Sequence, residues 1–164
     1  MSNNLLETFQ DTDKWKSGVK LISGPVVNKD EAHDKNLLHL SAHLLIIDSA
    51  NRILARKRKD DDFRYAGLWT STIGTHVLVN NDYLSTLKGL LPLQRDLEYL
   101  GEFRVHDEWE NEINGLYILR ADEKEVSAKF LEDKKFFTAD EVTKLVQKGK
   151  TTPHLKGALE LIKK

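Results

Sequence analysis

The chain has 164 residues, 40% of them hydrophobic and 31% charged, which fits a single globular domain of ordinary composition. Its 25 lysines and arginines balance 26 aspartates and glutamates, so the net charge of -1 gives no strong field to hold nucleic acid or an anionic membrane. The absence of cysteine excludes disulfides, cysteine-ligated metals and thiol nucleophiles. Any metal ion must therefore be held by histidine, carboxylate or carbonyl groups.

The N-terminal segment MSNNLLETFQDTDKWK is polar and acidic, unlike a signal peptide. No apolar run approaches the roughly 20 residues that a spanning helix needs. We therefore expect a cytoplasmic protein with no nucleic-acid and no membrane partner, and the oligomeric state is left open. Residues 1–30 are expected to form an N-terminal extension to one domain over residues 31–164.

The first part of this domain has the pattern of β-strands. Residues 37–47, LLHLSAHLLII, are followed by turn residues 48–51 and a second strand from Arg52, which predicts a β-hairpin. The charged stretch KRKDDDFR is expected to be a loop. Residues 67–79, GLWTSTIGTHVLV, are rich in β-branched and aromatic side chains and predict a third strand.

From Asn80 the apolar residues change to helical spacing. The spacing predicts a helix that ends at Pro92. Its packed face is formed by Leu84, Leu87, Leu90 and Leu91. Two more strands are predicted at 97–109 and 113–122.

Two helices are expected at the end of the chain. The first has a capping box of Thr138 and Glu141, with Gly149 as its C-cap. The second begins with Thr152 as N-cap and Pro153 at the first helical position. Strands, a helix, strands and two helices in this order indicate an α+β fold with a mixed or antiparallel sheet.

Histidines and paired carboxylates are the most chemically informative residues. His39 and His43 lie four apart in a predicted strand and so share a face, while Glu110 and Glu112 share a side if they enter a strand. Imidazoles with carboxylates suit Zn²⁺, Mn²⁺ or Mg²⁺. By spacing alone, core or surface histidines and a solvated strand edge are the more common explanation of the pattern.

Several motifs occur together in a fixed order. They are His33, the strand LHL around His39, the basic run Arg56–Lys59, GLWT followed by His76, and the triplet Glu110-Asn111-Glu112. With the closing FFTADEVTKLV and TTPHLKGALELI, residues 31–163 resemble type I isopentenyl-diphosphate isomerase and its relatives in the Nudix superfamily. The resemblance implies a Nudix-like mixed β-sheet packed between helices.

The resemblance also implies a set of site residues. Five positions would hold one divalent metal ion (Zn, Mg or Mn), namely His33, His39, His76, Glu110 and Glu112, and Glu112 would also be catalytic. Arg58 matches a substrate-phosphate arginine, and the second basic position falls on Asp62, for which Arg64 could substitute. Trp69 would flank the pocket, although a core position is the simpler interpretation of that residue. For the basic run Arg56–Lys59, the alternative to diphosphate binding is a solvent-exposed strand end.

Two departures from the family pattern limit the chemistry. Gly74 stands where the isomerases have a cysteine that works opposite the glutamate, so one proton-transfer group is missing. The glutamates of the Nudix hydrolase motif are also missing, since no carboxylate lies between Asp82 and Asp96.

Two functions are therefore open at this point. One is a metal-dependent protein that acts on or binds a small organic diphosphate, as a hydrolase-like or isomerase-like enzyme with altered chemistry. The other is a catalytically inactive degenerate Nudix domain that serves as a ligand- or protein-binding module. A remnant with no site at all is a third alternative.

Overall fold

The computed structural model describes residues 4–11 and 15–164. The strands of these residues are β1 (Leu5–Phe9), β2 (Ser23–Asn28), β3 (Leu38–Ile47), β4 (Ile53–Lys57), β5 (Trp69–Thr70), β6 (Ile73–His76), β7 (Glu98–His106), β8 (Asn111–Arg120) and β9 (Lys134–Phe137). The helices are α1 (Lys29–Asp34), α2 (Tyr83–Lys88), α3 (Ala128–Leu131), α4 (Ala139–Gln147) and α5 (Pro153–Ile162), with a 3-10 turn at Glu123–Glu125.

Strand β3 is the centre of one mixed sheet. It runs parallel to β8 along its whole length and antiparallel to β1, β4 and β6 over different segments. Strand β7 extends the sheet beyond β8, and β9 pairs with β4. Strand β3 therefore has neighbouring strands at both edges, and its side chains are buried on both faces of the sheet. This explains why its apolar run is nearly continuous.

The sheet has a hydrophobic core on each face. Helices α4 and α5 cover one core through Val142, Leu155 and Leu159, and helix α2 covers the other through Leu87. Each fully buried side chain of this size contributes about 1.5–3 kcal/mol. The predicted α+β class, with a mixed sheet packed between helices, is confirmed.

The predicted β3–β4 hairpin is confirmed, with Ile47 opposite Ile53. The side chain of Asp48 accepts hydrogen bonds from the backbone N–H groups of Ala50 and Arg52, and Asn51 takes the left-handed conformation that the tight turn requires.

The single strand predicted over residues 67–79 is wrong, because two short strands, β5 and β6, occupy that range. They pair with different partners, β4 and β3, so the chain must cross between them. Thr72 stabilises the crossing: its hydroxyl accepts a hydrogen bond from Ile46 N at 2.9 Å and donates one to Leu54 O at 2.5 Å.

Helix α2 is shorter than predicted. Asp82 caps its start by accepting from Ser85 N at 2.8 Å, and the helix ends at Lys88, with Gly89 as C-cap, rather than at Pro92. Leu90 therefore lies beyond the helix and is exposed instead of packed.

The predicted caps of the last two helices are confirmed. Thr138 and Glu141 form the capping box of α4, and Thr152 caps α5 with Pro153 in its first turn. Gly149 lies one residue beyond the C-cap, which is Lys148, and takes a left-handed conformation with φ of 68°.

The expected N-terminal extension contributes strands to the same sheet. Strand β1 pairs with β2 and also with β3, where Thr8 lies opposite His39. Among the helices of residues 4–11 and 15–164, none is long and apolar enough to span a membrane.

Candidate metal centre

Pairing around β3 brings the distant parts of the chain together. His39 lies beside Glu112 of the parallel strand β8, and Ser41, two residues further along β3, lies beside His76 at the end of β6. Alternation in the strand puts His39 and Ser41 on one face. The site is thus positioned by three neighbouring strands of the sheet.

Helix α1 adds His33 to this group. Asn28 caps the helix by accepting a hydrogen bond from Glu31 N at 2.8 Å, and His33 lies in its last turn. Its Nε2 atom lies 3.1 Å from Oε2 of Glu110, the residue that directly precedes β8.

Glu110 and Glu112 face the same side, as their spacing predicts. Asn111 between them points the other way, where its amide donates to Asn36 O at 3.1 Å and to Asp11 Oδ2 at 2.8 Å. The middle residue therefore anchors the strand, and both carboxylates remain directed into the site.

The predicted convergence of five side chains is confirmed. One ligand-type atom from each residue lies within 4.8 Å of all the others, in the group His33, His39, His76, Glu110 and Glu112. That these side chains bind a metal ion remains a prediction.

Hydrogen bonds fix two imidazoles in the form that a metal ion needs. His33 Nδ1 lies 2.8 Å from Lys29 O, and His39 Nδ1 lies 2.8 Å from Leu37 O. A carbonyl can only accept, so both Nδ1 atoms donate, and in the neutral rings the unprotonated Nε2 atoms point into the cluster. Such contacts behind a histidine ligand are typical of metal centres.

One ligand atom in the interior of the cluster has no hydrogen bond to the part of the chain that the structure describes. His39 Nε2 is buried and has no hydrogen-bond partner among the described residues, although Glu112 Oε2 is 3.2 Å away. The Nε2 atoms of His33 and His76 face each other at 3.3 Å. Closely spaced ligand-type atoms of this kind fit a shared cation, so the donor set suits a divalent ion.

The charges in the cluster are consistent with that fit. Burial acts to raise the pKa of Glu112, but the hydrogen bond from His154 and the neighbouring charges of His154 and His39 outweigh it and hold the pKa well below its usual range. Burial lowers the pKa of His76 to about 4, so this ring is neutral at pH 7. Burial acts to lower the pKa of His39, but the nearby carboxylate of Glu112 outweighs it and raises that pKa.

His154 is a residue of this site that the sequence did not indicate. His154 lies in the first turn of α5, and its Nε2 is 2.7 Å from Glu112 Oε1. Ser41 Oγ donates to the other carboxylate oxygen, Glu112 Oε2, at 2.6 Å. These two contacts orient the glutamate from behind. The closing segment TTPHLKGALELI was part of the resemblance, but it assigned no role to this histidine.

His43, which the strand pattern puts on the same face as His39, is buried beside the site. Its ring stacks on that of His154 with centroids 5.0 Å apart, and its Nδ1 lies 2.5 Å from Ser71 Oγ. A Cβ atom at Gly74 would lie only 2.7 Å from His43 Cε1. The imidazole therefore occupies the space that a side chain at position 74 would need.

A cavity of about 310 Å³ opens beside the cluster. Glu110, Glu112 and His76 form part of its wall, and three basic side chains, Lys29, Arg56 and Arg58, form another part. Arg56 lies on β4 and Arg58 directly follows that strand, so alternation puts both arginines on one face. Lys57 points to the other face, over the ring of Trp69.

Of the three predicted substrate-binding residues, one lines the cavity, one reaches the edge of the cluster and one packs in the core. Arg58 lines the cavity, and Asp62 lies 3.6 Å from its Nε. Arg64 reaches the edge of the cluster, where its Nη1 lies 3.3 Å from Glu110 Oε1. Trp69 does not line this cavity: it packs edge-on against Phe137 in the core, which corrects the expectation that it flanks the pocket.

Helix α2 borders a second cavity of about 420 Å³, which shares His76, Thr75 and Lys29 with the first. The α2 residues in its wall are Ser85 and Thr86, whose hydroxyls bond to Asp82 at the start of the helix. The helix thus offers no carboxylate to this side of the cluster.

His43 predicts a measurable pH dependence of folding stability. Burial, then the neighbouring charge of His154, lowers its pKa from 6.5 to about 3, so the unfolded chain binds a proton that the folded protein excludes. The stabilisation is complete above about pH 6.5 and is lost as the pH falls toward 3, with about 2 kcal/mol lost at about pH 5.

The measurement is urea unfolding of the metal-free protein at neutral pH and at about pH 5. We expect the wild type to lose about 2 kcal/mol more than His43→Asn, which can keep the bond to Ser71. Equal losses in the two proteins would show that His43 titrates normally in the folded state.

Comparison with solved structures identifies the fold. DR0079 from Deinococcus radiodurans matches with a TM-score of 0.61 and 12% identity over 90% of this chain and 91% of that chain. A MutT Nudix hydrolase from Burkholderia pseudomallei matches with a TM-score of 0.57 and 17% identity over 76% and 98%. The MutT protein from Methanosarcina mazei Go1 has a TM-score of 0.52 and 14% identity over 75% and 91%.

The chain therefore has the Nudix fold. No protein-family model matches the sequence, and no curated protein matches it. The finer resemblance to isopentenyl-diphosphate isomerase stays a prediction, because identities this low establish the fold alone.

Proposed function

We propose that this protein holds one divalent metal ion in the His/Glu cluster and, beside it, binds and acts on a small organic diphosphate. The observation that carries the proposal is the convergence of five ligand-type atoms within 4.8 Å, with the Nε2 lone pairs of His33 and His39 directed inward. Zinc, manganese and magnesium are the candidate ions for this mixture of imidazole and carboxylate.

Positive charge beside the cluster supports the choice of a diphosphate. Arg56 is half-buried in the cavity wall and makes no hydrogen bond or ion pair with another described residue, so its guanidinium is available to an anion. Arg58 lies on the same wall, and its Nε donates to Arg64 O at 3.0 Å, which leaves the terminal nitrogens to face a ligand. A guanidinium fork suits phosphate oxygens, because it can donate two parallel hydrogen bonds.

A bound metal ion would neutralise charge on the diphosphate and polarise its oxygens. The protein's own groups determine where this occurs. Glu112 is held by His154 and Ser41, and Glu110 is held by Arg64, so both carboxylates are oriented before any ligand arrives.

A binding module without turnover is the second candidate function. Two observations favour it: the imidazole of His43 fills the space beside Gly74, and α2 has no carboxylate facing the cluster. The first candidate predicts turnover of some diphosphate with Mg²⁺ or Mn²⁺, whereas the second predicts binding alone. A screen of nucleoside, sugar and isoprenoid diphosphates for product release separates them.

The proposed function is tested by titrating inorganic diphosphate calorimetrically into metal-free and Mn²⁺-loaded protein. We expect clear binding to the loaded protein and at least tenfold weaker binding without metal or with Arg58→Gln, since a charged hydrogen bond is worth about 1.5–3 kcal/mol. Arg95→Gln is the matched control, because Arg95 pairs with Glu125 outside this cavity. Equal binding with and without metal would contradict the proposal.

The contact between His154 and Glu112 predicts an effect on metal affinity. Replacing His154 by leucine removes the donor behind Glu112 Oε1, and loss of such a contact weakens metal binding about 10–100-fold. His154→Gln keeps an N–H donor and should restore part of the affinity. The measurement is Mn²⁺ or Zn²⁺ binding in competition with a chelator, and unchanged affinity in His154→Leu would mean that the contact is merely structural.

A further inference from the structure

The 310 Å³ cavity beside the metal cluster is lined by polar and charged residues and one glycine. Among the described residues that line it, none has an aliphatic, phenyl or indole side chain. Besides the ligand-type and basic residues, the wall consists of hydroxyls, imidazoles and one glycine: Ser41, Thr70, Thr75, His43, His154 and Gly74. Small-molecule sites are usually lined mostly by hydrophobic and aromatic groups, so this composition is unusual.

The wall has two chemically different parts. Lys29, Arg56 and Arg58 provide positive charge, which the proposed function assigns to the diphosphate. The remaining hydroxyl and imidazole groups would then face the organic group that the diphosphate carries. Thr75 is half-buried and its hydroxyl makes no hydrogen bond to another described residue, which leaves it able to donate or accept.

A hydrocarbon would be a poor ligand for that second part. It would displace water from the hydroxyl of Thr75 without replacing the lost hydrogen bond, and such a loss weakens binding about tenfold. A hydroxylated group can donate to Thr75 or accept from it, and the Thr70 hydroxyl, which accepts from Thr152, still has a proton to donate. Sites built from hydrogen-bonding groups reject analogues that lack them much more strongly than apolar pockets reject extra hydroxyls.

We infer that the organic group on the diphosphate is a small polyhydroxylated, sugar-like group and not a hydrocarbon chain. The inference rests on the proposed function, because it presupposes that a diphosphate occupies the basic side of the cavity. The volume agrees with a small ligand, since about 310 Å³ lies at the low end of the roughly 300–1,000 Å³ typical of such sites.

The test compares two diphosphates that carry five carbons each, with inorganic diphosphate as the reference. Ribose 5-diphosphate has a hydroxylated organic group and isopentenyl diphosphate has a hydrocarbon. Each is titrated calorimetrically into the full-length, Mn²⁺-loaded protein. We expect ribose 5-diphosphate to bind at least tenfold more tightly than isopentenyl diphosphate, and isopentenyl diphosphate to bind no more tightly than inorganic diphosphate.

A variant tests whether the wall causes the preference. Thr75→Val keeps the side-chain shape but removes the hydroxyl, and we expect it to reduce the preference for ribose 5-diphosphate about three- to tenfold while leaving inorganic diphosphate binding unchanged. Thr143→Val is the control, because Thr143 lies on α4 and its hydroxyl donates to Ala139 O, outside the cavity.

The outcomes separate the inference from the proposed function. If inorganic diphosphate binds but isopentenyl diphosphate binds as tightly as ribose 5-diphosphate or more so, the inference is wrong and the proposed function stands. A preference for ribose 5-diphosphate that survives Thr75→Val in full overturns the role of this hydroxyl in selecting the ligand. If none of the three ligands binds, the proposed function fails and the inference fails with it.

Discussion

Replacing Glu112 by glutamine will weaken divalent-metal binding about 100-fold or more. Glu112 is central to the cluster: its Oε2 lies 3.2 Å from His39 Nε2 and 3.5 Å from His76 Nε2, and its Oε1 contacts His154. Contacts behind a ligand are worth about 10–100-fold in affinity, and this change removes a charged, ligand-type carboxylate itself. Glutamine keeps the volume, so the effect isolates the charge.

The measurement is competition between the protein and a chelator for Zn²⁺ or Mn²⁺. Glu108→Gln provides the matched control, because Glu108 is an exposed glutamate of the loop just before β8 and does not belong to the cluster. Wild-type affinity in Glu112→Gln, with the fold intact by circular dichroism, would remove Glu112 from the metal centre.

The protein will not isomerise isopentenyl diphosphate at a useful rate, even when loaded with metal. Moving a double bond requires an acid on one face and a base on the other, and Gly74 provides neither. Absence of a positioned acid or base typically costs about 10²–10⁴-fold in rate. The measurement is product formation from isotope-labelled isopentenyl diphosphate, with Mg²⁺, Mn²⁺ and Zn²⁺ tested separately.

Introducing the missing thiol alone will not create the activity. In Gly74→Cys the new Cβ would lie 2.7 Å from His43 Cε1, so the buried imidazole would have to move. We expect a lowered Tm for this variant, and partial recovery of the Tm when His43→Ala is added to provide space. Robust isomerisation by the wild type would contradict this explanation and would mean that another group supplies the proton.

Local signals in the sequence were sufficient for much of the fold. The β3–β4 hairpin follows from a ten-residue apolar strand and a turn at Asp48, and the starts of α4 and α5 follow from Thr138 and Thr152. These features depend on neighbouring residues, so their signals are present in short segments. The split of residues 67–79 into β5 and β6 depends on two different partner strands, and no local pattern contains that information.

The residues of the candidate site also differ in whether the sequence alone could predict them. The five clustered residues could be predicted because a known family pattern places those residue types in the same order. His154 could not, since its position depends on how α5 packs against the sheet beside Glu112. The burial of His43 likewise depends on His154 and on the glycine at position 74. Trp69 was ambiguous in the sequence, and its packing on Phe137 resolves the ambiguity in favour of the core.

The loop between β4 and β5 is another part whose conformation the sequence did not predict. Asp62 occupies the expected basic position, but the loop folds so that Arg64 reaches Glu110 at 3.3 Å and Asp62 lies near Arg58. Tyr65 takes a left-handed conformation there, and its hydroxyl donates to Asp107 Oδ2 at 2.5 Å. Long-range contacts of this kind fix the loop, and sequence spacing does not report them.

Anomalous diffraction from crystals grown with Zn²⁺ or Mn²⁺ tests the central claim most directly. We expect one strong anomalous peak among the five side chains, with ligand distances to zinc of about 2.0–2.2 Å for the imidazole nitrogens and carboxylate oxygens. The peak should disappear in Glu112→Gln crystals and remain in Glu108→Gln crystals. A peak elsewhere, or no peak in wild-type crystals at millimolar metal, would contradict the assignment of a metal centre to His33, His39, His76, Glu110 and Glu112.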